Sequence, residues 1–136
     1  MGKYTCMLED LLSIFGTTAW VAEGIKVVPQ NFEDENVYPE YLRVSVVAGG
    51  GSLTGYSMSG LLLIDIFTPA GKGPSRTSVI ADKLDAYLLG KSFNVGSMGA
   101  TTQIPKTSNL RTTGSGDSAF CHAIYQVQFN HFRLEV

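Results

Sequence analysis

Tyr56-Ser57-Met58-Ser59-Gly60-Leu61-Leu62-Leu63-Ile64-Asp65-Ile66-Phe67-Thr68-Pro69-Ala70-Gly71-Lys72-Gly73-Pro74 is a strand, a corner and the start of a helix in one run. The apolar stretch Leu61 to Ile64 implies cover on both faces of that strand, at least in its middle. A helix over one face and a neighbouring subunit over the other would supply it. Pro69, Gly71 and Gly73 then stop the strand abruptly. Pro74 suits the first turn of a helix, where its missing N–H would have had no partner anyway, and Gly90 suits the left-handed position just past the helix end. Between them Ile80, Leu84, Tyr87 and Leu88 form one stripe. Fully burying four such side chains contributes roughly 6 to 12 kcal/mol before entropy is subtracted, at about 1.5 to 3 each.

Outward from this corner the pattern stays legible. Upstream, Leu42-Arg43-Val44-Ser45-Val46-Val47-Ala48 alternates as a strand with Leu42, Val44 and Val46 inward, and Gly49-Gly50-Gly51-Ser52 releases it into a hairpin. Near the start, Met7, Leu8, Leu11, Leu12 and Phe15 recur at spacings of three and four, the face of a short helix ending near Gly16. Residues 17 to 40 are less regular, with an apolar piece Ile25-Lys26-Val27-Val28 that stops at Pro29 and an acidic stretch Glu33-Asp34-Glu35. Downstream, residues 91 to 118 are rich in Gly, Ser and Thr. They hold possible strands at 99 to 102 and 108 to 113 and read as a mobile hairpin or loop in the monomer. The last strand, 118 to about 132, alternates Cys121, Ala123, Tyr125, Val127 and Phe129 against His122, Gln126, Gln128 and Asn130. Ile124 and Phe120 interrupt its polar face. The sequence predicts an α+β fold in one domain, 1 to 136, with a mainly antiparallel sheet and helices packed on one face.

The stretch from residue 56 to 90 resembles the small tail terminator (tail completion) proteins of long-tailed bacteriophages. Ile64-Asp65-Ile66-Phe67-Thr68-Pro69-Ala70-Gly71-Lys72-Gly73, followed by Ile80-Ala81-Asp82-Lys83-Leu84, carries the likeness; elsewhere only the order of elements agrees. The resemblance implies a structural virion protein, assembled in the host cytoplasm. It implies a homo-oligomeric ring, usually a hexamer, on the head-proximal end of the tail tube. Such a ring stops polymerisation of the tail tube protein, meets a head-completion or neck protein, and lets DNA pass through its lumen without specific binding. A head-completion or neck connector protein is the alternative within the same class, and a small ligand-binding domain is the alternative outside it.

Composition bounds these readings. The chain has 136 residues, of which 44% are apolar and 16% charged, which suits a single domain with its own core. A net charge of -2 offers no basic field to displace counterions from a phosphate backbone, so sequence-specific nucleic-acid binding is not expected. Cys6 and Cys121 lack any Cys-x-x-Cys or Cys/His company and read as small hydrophobes in a reducing compartment. The acidic N-terminal stretch breaks any signal-peptide core, and no apolar run approaches a membrane span, so neither export nor a membrane partner is expected.

Catalytic patterns fail on inspection. Around Gly71-Lys72-Gly73 the phosphate-loop spacing needs Gly where Ile66 stands and Ser or Thr where Gly73 stands. Residues 49 to 55 mimic a dinucleotide fingerprint loosely, with Thr54 at the last Gly position and a strand following where a helix belongs. His122 and His131 fall on opposite faces of one strand, roughly 30 Å apart, too far to share a metal, and both read as surface or interface residues. The acidic stretch lacks the ligand spacing of a calcium loop. No catalytic or metal-binding residue and no cofactor is expected. The expected partner contacts are Glu33, Asp34 and Glu35 in the acidic stretch, Gly50, Ser52 and Thr54 in the Gly-rich hairpin, and Thr102, Ser108 and Arg111 in the Ser/Thr-rich segment.

Overall fold

The computed structural model describes residues 3–29, 40–51, 57–69, 74–93, 100–113 and 120–133. The chain opens with α1 (Lys3–Leu12), a 3-10 turn (Ser13–Gly16) and a single-turn helix α2 (Thr18–Val21). Thr17 closes the gap between the last two. Its hydroxyl donates to the Ile14 carbonyl at 2.7 Å and accepts the Trp20 N–H at 3.2 Å, the side-chain cap that a helix N-terminus needs. Gly24, at a φ of 74°, then turns the chain into β1 (Lys26–Pro29).

β2 (Tyr41–Gly51) and β3 (Ser57–Pro69) form the long antiparallel pair read from the sequence, and α3 (Pro74–Leu88) follows. Helix α3 begins at Pro74 and is succeeded by Gly90 at a φ of 70°, as its end signals require. β4 (Ser92–Phe93), β5 (Ala100–Gln103), β6 (Ser108–Thr113) and β7 (Phe120–Arg133) complete the sheet. Its order is β1-β2-β3-β7-β5-β4, with β6 also on β7. Only β1 against β2 is parallel among these pairings. The fold is α+β.

Within residues 91 to 118, β4 and β5 pair antiparallel, Ser92 opposite Gln103 and Phe93 opposite Thr102, whereas β5 and β6 do not pair with each other. Both lie antiparallel along one edge of β7, with Gln103 opposite Asn130 and Ser108 opposite Val127. They form one interrupted strand whose intervening residues bulge toward α3. There Ile104 is buried, its N–H bonds the Lys91 carbonyl at 3.0 Å, and its carbonyl receives the Gly90 N–H at 3.0 Å. The bulge thus satisfies backbone groups at the end of α3, which a regular strand could not reach.

One hydrophobic cluster fills the space between helices and sheet. The sheet contributes Leu42, Val44, Leu62, Ile64, Ile66, Ala123, Tyr125, Val127 and Phe129, and α3 contributes Ile80, Ala81, Leu84 and Leu88. Leu8 departs from the expected stripe of α1. It is exposed, while Met7 and Leu11 are buried. Trp20, which the periodicity did not single out, is fully buried between Phe15 and Tyr87, with edge-to-face ring separations of 5.2 and 5.3 Å.

Candidate functional site

Strand alternation fixes what each face of the sheet presents. All helices lie on the face of Leu62, Ile64 and Ile66. The opposite face of β2, β3, β7 and β6 carries no helix among the described residues, and register aligns its side chains in rows. One row runs Tyr41, Phe67, His122; the next runs Arg43, Asp65, Ile124, Arg111; the third runs Ser45, Leu63, Gln126, Asn109; the fourth runs Val47, Leu61, Gln128. Val47, Leu61, Leu63, Ile124 and Phe67 make it apolar in part, and all five keep some exposure.

The first row is a continuous stack. The Tyr41 and Phe67 rings lie 4.6 Å apart at 19°, and the Phe67 and His122 rings 4.7 Å apart at 10°. His122 Nε2 sits 3.1 Å from Asp65 Oδ1, which anchors the outer ring of the stack to β3. Asp65 also stands directly across from Arg43. This half-buried group joins three aromatic rings, one of them a histidine, to a carboxylate and an arginine. The alternation of β3 and β7 announced which residues share this face; the register that stacks Phe67 on His122 had no signal in the sequence.

The residues predicted for partner contact are scattered. Glu33, Asp34, Glu35, Ser52 and Thr54 lie outside the described residues. Gly50 lies in β2 opposite Ser59, at a register shift that follows Ala48. Arg111 is exposed on the uncovered face, in line with Ile124 and Asp65.

Thr102 is not a surface contact: it is fully buried on the helix side of β5. Its hydroxyl donates to Asp10 Oδ2 at 2.8 Å and lies 2.7 Å from His131 Nδ1. A hydroxyl has one proton to give, so the second bond requires a proton on Nδ1 of His131. Asp10 and His131 are buried as well, which corrects the surface placement of His131. The trio fastens α1 to β5 and β7, and a buried polar group needs such partners.

Ser108 is likewise occupied within the subunit. Its hydroxyl and that of Tyr125 both donate to Asp85 Oδ1 at 2.7 Å, tying α3 to β6 and β7. Burial, with the Asp85 bond second, pushes the Tyr125 hydroxyl far above the usual tyrosine range. Glu40, at the end of the acidic stretch, accepts from Arg76 Nε at 2.5 Å and Nη2 at 2.8 Å. That bond raises the already high pKa of Arg76. Lys83 donates to Glu23, holding its carboxyl below the usual range, and the Tyr87 hydroxyl reaches the same carboxylate at 3.3 Å.

A cleft of about 400 Å³ opens beside β1, lined by Phe15, Trp20, Val21, Ile25 and Val27 among others. Val21 is 64% exposed at its margin. Among the described residues no helix is long and apolar enough to cross a membrane, and no group of three or more His, Cys, Asp or Glu is placed to hold a metal.

Neither a family model nor a curated protein matches this chain. Among solved structures the fold has counterparts. One, whose name is a sequence identifier that states no function, superimposes with a TM-score of 0.63 at 15% identity, over 98% of this chain and 94% of its own. At that identity the likeness is one of fold, and it extends over the whole α+β arrangement.

Proposed function

We propose that the chain is a structural virion protein, a tail terminator whose subunits form a ring at the head-proximal end of a phage tail tube. The ring stops addition of further tail tube protein, presents its other side to a head-completion or neck protein, and leaves a lumen for DNA. The observation that carries this reading beyond the likeness of residues 56 to 90 is the sheet face that carries no helix among the described residues. A sheet packed by helices on one side, with Val47, Leu61, Leu63, Phe67 and Ile124 partly exposed on the other, has a surface suited to a protein partner. The stacked Tyr41, Phe67 and His122 offer rigid aromatic area at low entropic cost, as contact surfaces commonly do.

Light scattering and negative-stain imaging of the purified chain, followed by sedimentation with tail tubes, test it. A ring of about six subunits that pellets with tubes and blocks their elongation is the expected result. Rings that bind filled heads and ignore tubes would move the assignment to a neck connector. Leu63→Asp places a charge on the uncovered face and is expected to abolish tube binding while leaving circular dichroism unchanged; unimpaired binding would remove this face from the mechanism.

A further inference from the structure

We infer that the sheet face bearing Leu61, Leu63 and Ile124 receives a second copy of this chain: the outward stripe of α3 in one subunit lies on β3, β7 and β6 of the next, with Asp82 meeting Arg111. This names the occupant of the face on which the proposed function rests, and it depends on that reading only for closure into a ring.

Helix α3 has two opposite stripes. Ile80, Leu84 and Leu88 are buried against the sheet, while Ser75, Ser78, Val79, Asp82 and Ala86 recur on the other side and are exposed. Val79 is 41% exposed among these small neighbours, so another surface can approach the helix closely at that point. Asp82 stands three positions further on, beside Val79 on the same stripe. The charges on the flanks of the stripe are bonded within the subunit, Arg76 to Glu40, Lys83 to Glu23, and Asp85 to Ser108 and Tyr125. Asp82 therefore sets the sign of the stripe.

The receiving face has the matching character. Val47 is 47% exposed there, and Leu61, Leu63 and Ile124 are half-buried. Register sets Arg43, Asp65, Ile124 and Arg111 in one row across the strands. Asp65 lies 3.1 Å from His122 Nε2, whereas Arg111 is exposed and has no carboxylate within ion-pair distance among the described residues. An apolar face with a cation at one side complements a helix stripe that pairs an apolar residue with a carboxylate. Within domains, apolar sheet faces are buried by packing helices on them, and here the helix comes from a neighbour.

The contact runs head to tail, because the stripe of α3 points away from the sheet and the receiving face lies on the sheet's other side. Successive copies stack helix layer on sheet face, and a rotation between them closes a ring. Charge opposes both two-fold alternatives. Sheet face on sheet face would bring Arg43 and Arg111 of two copies together with only Asp65 of each to offset them, and stripe on stripe would set Asp82 against Asp82.

Charge exchange tests the contact on the purified full chain, with sedimentation equilibrium as the readout. The native chain is expected to form oligomers larger than a dimer. Asp82→Arg and Arg111→Asp should each weaken that association by about tenfold or more, and the double variant should recover most of it. Both positions are exposed, so circular dichroism should not change. Single variants that associate as the native chain does, or a double variant as weak as the singles, would overturn the inference. A chain that stays monomeric at its highest soluble concentration would overturn it too, as would assembly that stops at a dimer. Val79→Asp should weaken association as well; an unchanged value would remove α3 from the contact. Rings that show this charge dependence and ignore tail tubes would leave the contact standing and overturn the terminator reading, and rings that bind tubes without it would do the reverse.

Discussion

Leu62 and Leu63 are adjacent and chemically identical, yet one is sealed in the core and the other stands partly exposed on a face that carries no helix among the described residues. The same division runs along β3, where Ile64 and Ile66 face α3 while Leu61, Asp65 and Phe67 face outward. A run of four apolar residues shows that both faces are apolar. It cannot show whether each is covered by the same chain, because burial depends on what packs there and the hydrophobic driving force has no direction.

The largest effect that separates the two faces should come from truncating a pair of neighbours. Ile64→Ala is expected to destabilise the isolated subunit by about 2–5 kcal/mol in urea unfolding, while Leu63→Ala costs under about 1 kcal/mol. Equal losses would mean that the second face is covered within the subunit after all.

Next comes the polar lock on the covered face. Tyr125→Phe removes the hydroxyl that bonds Asp85, and a hydrogen bond to a charged group contributes about 1.5–3 kcal/mol. The pH dependence has a definite sign. Because the folded state holds the Tyr125 proton above the ordinary range, its contribution is complete below the unfolded tyrosine value of about 10 and is lost as pH rises beyond it. Stability followed above that pH should fall more steeply in the native chain than in Tyr125→Phe; parallel curves would contradict the lock.

A smaller effect is expected at the end of α3. A Cβ on Gly90 would adopt a left-handed backbone and approach the Lys106 side chain at 3.2 Å, so Gly90→Ala should cost about 1–2 kcal/mol by thermal unfolding. The flexible lysine can yield, and most of the cost is backbone strain.

The smallest effect is at the partly exposed Glu40. Glu40→Gln breaks the pair with Arg76 and is expected to change stability by under about 1 kcal/mol, with the difference shrinking as salt is added. A loss of several kcal/mol would mark the pair as structural.

Much of the fold could be read in advance because the signals were local. Pro74 and Gly90 bracket α3, and the two-residue alternation of β2 and β7 placed Leu42, Val44, Ala123, Tyr125, Val127 and Phe129 inward, where they are buried. The failures were of another kind. Thr102 and His131 are polar and read as surface residues, but Asp10, more than ninety positions from Thr102 along the chain, arrives to accept the Thr102 hydroxyl, which in turn lies against His131 Nδ1. Ser108 reads as a contact residue, but Asp85 occupies its hydroxyl. A polar side chain reveals its need for a partner, not where the partner comes from.

The sequence by itself determined the α+β class, the end of β3 near Pro69, the start of α3 at Pro74 and the alternation that gives each strand two faces, since turn chemistry and periodicity act over a few residues. Only the tertiary structure decided which apolar face the helices cover. It also decided that Phe67 stacks between Tyr41 and His122, and that β5 and β6 share one edge of β7 around the Ile104 bulge. Those outcomes depend on strand order and register, which arise from contacts between residues far apart in the chain.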